Sequence, residues 1–479
     1  MAYRVIWFLW SPLLAVSAIV LSLPVLFGLV IDEKVQYFLP SLALVYGLCA
    51  LCWYGGRVHR RQMQLREGAW LMVLAWFFLS FIGMLPYGLS GILSWLDGWF
   101  ESVATVTTTG LVTQMEIYQH APRVFVLWRS ALAWVGGMQF LALTVTVLPL
   151  LSPSLTLAVQ GRQNISFSPM VHPMLGRAAK VIGVYAGITV LSFVLYAVVE
   201  NNLFLAVAQA GLTVSTTGGI GIVPFDSLYW EAASLLPLFL VCTNFLLYLK
   251  VWERRSIKVL FADAEWQVMT VIIVVCALLV GWHLWYSGTY TGVRSAMHGI
   301  FQILSFISTG GLMADSIRHW PALDRCILFL LSFVGASLAS LSGGLRVMRL
   351  IVLAKMAKEE LNRTIHPHMV VSFTVNGRAV ETNIVSFVLA YFFLFMMTYF
   401  VSAIILALAG ITPLQALGLA IGCLSSVGST ATVFGITDFL TLPAWLKIYS
   451  TVLMIVGRME IFAVCILLKT VWQSAQRPW

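Results

Sequence analysis

Charge is what this sequence has least of. Only 10% of its 479 residues are Asp, Glu, Lys or Arg, against 60% that are hydrophobic, and the mean hydropathy is +0.93. Soluble domains carry about 25% charged residues, so the composition excludes that class and indicates a polytopic α-helical membrane protein. A disulfide framework is also missing. The seven cysteines are scattered, and Cys49, Cys52, Cys242, Cys276 and Cys465 lie inside apolar runs. Cys49 and Cys52 form a C-x-x-C pair, which is either a redox or metal motif or two small apolar residues one turn apart on a lipid-buried helix. The apolar surroundings favour the second reading. There is no phosphate loop, no G-x-S-x-G elbow and no H-E-x-x-H helix. The chain therefore has no evident ATP site and no enzymatic signature, no cofactor is expected on it, and any transport would run down ion gradients. His366-Pro367-His368 has a proline between its histidines and no cysteine nearby, which does not make a metal site.

The net charge of +9 does not indicate nucleic acid, because the basic residues sit at the ends of apolar spans, as the positive-inside pattern requires. Ten spans fit the hydropathy: residues 5–31, 36–56, 68–90, 122–150, 178–200, 228–250, 266–287, 322–355, 383–409 and 440–472. With the N-terminus inside, the basic connections at Arg57–Arg66, Arg162–Lys180, Lys250–Lys258 and Lys355–Arg378 all fall on one face. That face is cytoplasmic by the charge rule, and so are both termini.

Four apolar pieces are too short to cross a bilayer and too apolar for ordinary loops: Ser94–Val106, Leu203–Val214, Val293–Ile307 and Pro413–Leu424. Pieces of this length read as re-entrant half-helices. Each runs into an oxygen-rich stretch with glycine: Thr107-Thr108-Thr109-Gly110, Ser215-Thr216-Thr217-Gly218-Gly219, Ser308-Thr309-Gly310-Gly311 and Ser425-Ser426-Val427-Gly428. The unit span, half-helix, glycine loop, span occurs four times. We divide the chain into two N-terminal helices (residues 1–60) and four pore repeats (61–150, 151–258, 259–378 and 379–479), with the broken inner helix in the third. A cation leaving water exchanges hydration oxygens for protein oxygens, and rings of backbone carbonyls supply them in potassium-type filters. Four such loops in matching contexts point to one ion path rather than to four unrelated turns.

Three further features bear on that path. The span 322–355 contains Gly335-Ala336-Ser337-Leu338-Ala339-Ser340-Leu341-Ser342-Gly343-Gly344. This stretch is either close helix packing through small residues or an unwound loop below the filter. Arg458, deep in the last span, faces a cavity or a partner. It either pairs with an acid other than Glu460 or caps carbonyls of an unwound loop. Glu101 either attracts cations or holds the first loop by hydrogen bonds. Asp97, Glu116, Asp226 and Asp315 read as solvated surface or as an outer acidic funnel.

The loop Phe100-Glu101-Ser102 through Gly110, the segment Trp134-Val135-Gly136-Gly137-Met138 and the ending Gly457-Arg458-Met459-Glu460-Ile461-Phe462 together resemble the membrane subunits of the Trk/Ktr/HKT superfamily of potassium transporters, its bacterial branch most of all. The resemblance covers essentially the whole chain. It implies a bacterial inner-membrane pore or symporter subunit for potassium, with four repeats after two extra helices, usually as a homodimer docked by a cytoplasmic nucleotide-binding regulatory partner. Carried over by position, the filter consists of Thr108, Thr109 and Gly110; Thr216, Thr217 and Gly218; Ser308, Thr309 and Gly310; and Ser426, Val427 and Gly428. The gate consists of Gly335, Ser337, Ser340, Ser342, Gly343 and Gly344 with Arg458. Related plant proteins that favour sodium often have serine at the first filter glycine, and glycine here favours potassium. The second glycines Gly219 and Gly311, and Ser429-Thr430-Ala431-Thr432 where a proline is common, depart from the pattern. A sodium-permeable or poorly selective relative and a non-transporting membrane protein, such as an intramembrane enzyme or an assembly scaffold, are the competing expectations.

Overall fold

The computed structural model describes residues 3–56, 65–151, 171–200, 202–219, 227–313, 315–366, 374–436 and 438–475. The connections holding Arg57–Arg61, Arg162, Asp226, Pro367 and His368 lie outside these residues. The described fold is helical, and its one sheet is a hairpin pairing Thr374–Val375 with Arg378–Ala379.

Helices of ten or more residues run in the order α1 (Tyr3–Val30), α2 (Leu39–Gly55), α3 (Leu65–Ser90), α4 (Trp95–Val106), α5 (Arg123–Thr146), α6 (Val171–Val199), α7 (Leu203–Val214), α8 (Leu228–Cys242), α9 (Phe245–Arg254), α10 (Ala264–Tyr286), α11 (Val293–Ile307), α12 (Ala322–Val334), α13 (Val347–Ile365), α14 (Thr382–Ala407), α15 (Pro413–Leu424), α16 (Ala444–Met459) and α17 (Ile461–Ala475). Among the described residues, seven helices are long and apolar enough to cross a membrane, or nine if each of two bent pairs is one span. Exposed Leu278, Trp282, Phe393 and Leu468 present the apolar exterior that lipid requires. Cys49 and Cys52 lie on α2 as free thiols.

α4, α7, α11 and α15 coincide with the four short apolar pieces read from sequence. A twelve-residue helix is about 18 Å long and cannot cross about 30 Å of hydrocarbon. Local chemistry starts these helices. Ser94 caps α4 by accepting from Asp97 N at 3.2 Å, and Asn202 caps α7 by accepting from Phe204 N at 3.1 Å. Thr412 and Gln415 form a reciprocal capping box on α15, while Gly292 turns into α11 with φ +56.

Three of the four helices that follow the loops are broken. Sequence indicates a break only in the span 322–355, and there α12 ends at Val334, with helix resuming at Val347. The spans 228–250 and 440–472, expected to be continuous, are not: α8 and α9 meet at 85°, and α16 and α17 at 101°. The first break is set by Asn244, whose Oδ1 caps α9 through Leu246 N at 2.9 Å. The second occurs at Glu460, held at φ +60, a conformation that side chains resist. Hydropathy does not register either break, because the flanking residues stay apolar.

Glycines let the half-helices seat closely. Gly136, Gly335 and Gly457 occupy the same place counted from Arg123, Ala322 and Ala444. A Cβ on Gly136 would collide with Val106 O, and one on Gly457 with Leu424 O, the last residues of α4 and α15. Gly47 on α2 has nothing within 4 Å of such a Cβ. Gly136→Val is therefore expected to abolish the monodisperse peak of detergent-extracted protein in size-exclusion chromatography, whereas Gly47→Val leaves it within a few degrees of the parent melting temperature.

Candidate ion filter and the polar layer beneath it

Each half-helix ends in the same backbone manoeuvre. One residue after the last turn, a non-glycine residue takes positive φ: Thr108 at 52°, Thr216 at 57°, Thr309 at 59° and Ser426 at 57°. The next amide reaches back five residues: Thr109 N to Ala104 O at 2.9 Å, Thr217 N to Leu212 O at 3.0 Å, Gly310 N to Ser305 O at 2.9 Å and Val427 N to Gly422 O at 2.8 Å. Left-handed non-glycine residues cost about 1–3 kcal/mol each and persist where the surroundings over-determine them. Four at matching places are a built feature of the fold.

This geometry corrects the register of the third loop. The residue in step with Gly110 and Gly218 is Gly311, at φ +62, and not Gly310. Ser308 is in step with Thr107, Ser215 and Ser425, as the cap of its half-helix. The third set is thus Thr309, Gly310 and Gly311. The paired glycine hides the offset in the sequence, because either one matches the motif.

The loops meet in a ring, in chain order. A Cβ on Gly110 would collide with Thr217 O, and one on Gly218 would lie 3.3 Å from Gly310 O. On Gly311 it would lie 2.9 Å from Ser429 Oγ. Gly428 N donates to Thr109 O at 2.7 Å, which closes the ring. The loops are not equivalent. Thr107 and Thr109 share a hydroxyl bond of 2.9 Å, and Ser215 and Thr217 one of 2.8 Å. In the third loop Gly310 has no hydroxyl, and its amide donates to Ser308 Oγ at 3.1 Å instead. In the fourth, Val427 has no hydroxyl, and Gly428 opens the short helix Ser429–Val433.

Glu101 holds the first loop. Fully buried, it accepts from Thr113 N at 2.8 Å, Thr113 Oγ1 at 2.9 Å and Tyr118 OH at 2.9 Å, and it pairs with Arg129 of α5. The carboxylate thus anchors the return strand of the loop from behind. Asp97 is not solvated surface either, since it pairs with the buried Lys447 at 2.6 Å. His298 on α11 stands as far from the end of its half-helix as Asp97 does on α4. It pairs with Glu231 at 2.9 Å, and Glu231 sits on α8 where Lys447 sits on α16. Beyond the third loop, burial pushes the Asp315 carboxyl up. The Tyr290 hydroxyl, the Ser316 amide, His298 and His319 outweigh that effect and hold the carboxyl below its usual value.

Below the ring lies the unwound segment 335–346, and it is densely bonded. Glu265 of α10 accepts from Leu338 N at 2.7 Å and Met348 N at 3.2 Å, and Arg346 donates to Leu338 O. Ala336 N donates to Ser342 Oγ at 2.6 Å, while Ser340 Oγ donates to Ser337 O at 2.7 Å. Gly335 at φ +65 and Gly344 at φ +76 begin and end the turn. The segment also meets the break in α8–α9, with Ser337 N donating to Cys242 O at 3.2 Å and Phe245 N to Ala339 O at 3.1 Å.

Arg458 caps carbonyls and, among the described residues, pairs with no acid. Its Nε donates to Thr107 O at 2.5 Å and its Nη1 to Leu341 O at 2.6 Å, so one guanidinium joins the first loop of the ring to the unwound segment. The remaining Nη2 has no partner among the described residues. Glu460 instead binds Arg349 at 2.7 Å and Arg346 at 3.7 Å. The sequence reading missed Glu265, Arg346, Arg349, Arg129, Lys447 and the His298–Glu231 pair. The available signal was a charged residue within an apolar span, applied above only to the last one.

Comparison with known proteins agrees with this architecture. The potassium uptake protein TrkH of the Trk system from Halomonas elongata is 28% identical over 491 residues, covering 98% of each chain. Its counterpart from Escherichia coli K12 is 26% identical over 461 residues, covering 92% of this chain and 93% of that one. The crystal structure of the potassium transporter TrkH from Vibrio parahaemolyticus matches with a TM-score of 0.87 at 25% identity, covering 98% of this chain and 99% of the other. The family model described as TrkH, cation transport protein, matches residues 36–476, and the chain belongs to that family.

Proposed function

We propose that this chain takes up potassium across the bacterial inner membrane through the ring formed by its four loops. One observation carries the reading: four strained hydroxyl-bearing residues of matching conformation, each two residues before a glycine, lie in loops that close on one another in chain order. Glycine at the fourth position of every loop, together with relatives named for potassium uptake, favours potassium over a sodium-permeable or poorly selective path. The half-helices direct their carboxyl ends, the negative ends of their dipoles, toward the ring. The segment 335–346 and Arg458 act as the gate. The guanidinium's unshared Nη2 presents positive charge where a cation would pass, and its two bonds tie the filter to the segment. The name Trk system borne by the relatives supports association with other Trk components. A cytoplasmic nucleotide-binding regulator docked on the basic connections, a homodimer and cytoplasmic termini complete the reading.

The first test is growth of a potassium-uptake-deficient bacterium in low potassium, with sodium flux followed in parallel. The parent chain rescues growth, and Gly110→Ser loses the rescue or admits sodium. Sodium flux equal to potassium flux through the parent would overturn the selectivity, and no flux of either ion from correctly inserted protein would overturn transport. For the gate, Arg458→Ala raises potassium flux several-fold in vesicles. Unchanged flux from folded protein would remove Arg458 from that role.

A further inference from the structure

The unwound segment is bonded directly to the ring above it. Gly343 N donates to Thr309 Oγ1 at 3.2 Å. Gly343 also sits so close to the end of α15 that a Cβ there would collide with Ser425 O. Thr309 is the third of the four left-handed residues. The hydroxyls of the other three, Thr108, Thr216 and Ser426, are buried and have no hydrogen-bond partner among the described residues. Three members of one tier thus hold oxygens that lack a partner, and the fourth is engaged by the gate.

Buried hydroxyls are costly without a partner, and a dehydrated alkali cation is satisfied by oxygens alone. The same oxygen of Thr309 faces two positively polarised claimants: the amide hydrogen of Gly343 and a cation held by its three counterparts. Placing both against one hydroxyl sets the cation beside a donor N–H, and the two repel.

We propose that Thr309 couples the filter to the gate by mutual exclusion. Its hydroxyl accepts Gly343 N–H and holds the segment closed, or it joins Thr108, Thr216 and Ser426 around a cation and lets the segment go. By linkage, a cation in this tier weakens closure by the factor by which closure weakens cation binding. Permeant ion is then itself an opening signal, with no regulator required. The inference rests on the potassium-pore reading.

The test uses the full chain in vesicles with Ala339→Cys as reporter. Ala339 is buried in the segment, so its labelling by a water-soluble maleimide measures release. The unsubstituted chain gives the background from its seven native cysteines. Replacing N-methylglucamine, which is too large to enter the ring, by potassium should speed labelling about fivefold, the size of one net hydrogen bond. Thr309→Val should label fast in both media, and Thr309→Ser should restore the potassium dependence. Labelling indifferent to potassium, or Thr309→Val as slow as the parent, would overturn the coupling. Hydrogen exchange of residues 335–346 in the unsubstituted chain gives the same reading if the cysteine variant does not fold. Potassium flux measured on the same vesicles separates the two ideas: flux without potassium-sensitive labelling removes the coupling alone, and absence of flux removes the pore.

Discussion

Backbone that leaves the helix inside a bilayer must find its hydrogen bonds within the protein, and this requirement organises the molecule. It arises at two levels, the ring of loops and the segment 335–346 with its neighbouring helix breaks. At the ring, the half-helices absorb the need. Amides reach back five residues, and the closing amide of Gly428 is taken up by Thr109. Below it, no regular element is available, and charged side chains do the bonding. Glu265 accepts two amides, while Arg346 and Arg458 donate to carbonyls.

This explains why so many charges lie so deep. Glu265, Arg346, Arg349, Arg458 and Glu460 are all nearly or fully buried. Isolated, each would be expensive in hydrocarbon. Here each charge satisfies backbone or another charge, and Arg458 and Arg349 further rest on the rings of Phe140 and Tyr391 at 4.4 and 3.8 Å. The helix restarts at Val347 and Ile461 each follow a charged residue with positive φ, Arg346 at 70° and Glu460 at 60°. These two strained residues lie 3.7 Å apart as an ion pair, so the two breaks hold each other in place.

The helical class, the four half-helices and the unwound segment were legible because length and hydropathy act locally. A twelve-residue apolar piece fails to cross a membrane whatever surrounds it. The breaks at Thr243–Asn244 and at Glu460 were not legible, because a single Asn cap inside an apolar run leaves the hydropathy unchanged and the partners of Glu460, Arg346 and Arg349, come from a distant segment. The register of the third loop failed for a related reason. Composition marks where glycines lie, but the φ of Thr309 decides which of them is in step. For Glu101 and Arg458 the sequence narrowed the choice to two roles, and only the partners, Thr113 and Tyr118 in one case and Thr107 and Leu341 in the other, decide between them.

The two outer pairs, Asp97–Lys447 and His298–Glu231, brace half-helices that face each other across the ring. The matching residues on the other two are Leu205, which has no polar group, and Gln415, which bonds back to its own cap Thr412. The bracing is therefore of two kinds: ion pairs tie the first and third half-helices to the spans beside them, while hydroxyls tie the second and fourth units, Tyr196 to Thr213 at 2.8 Å and Ser332 to Thr430 at 3.0 Å. Charge holds one diagonal of the ring and neutral hydrogen bonds hold the other.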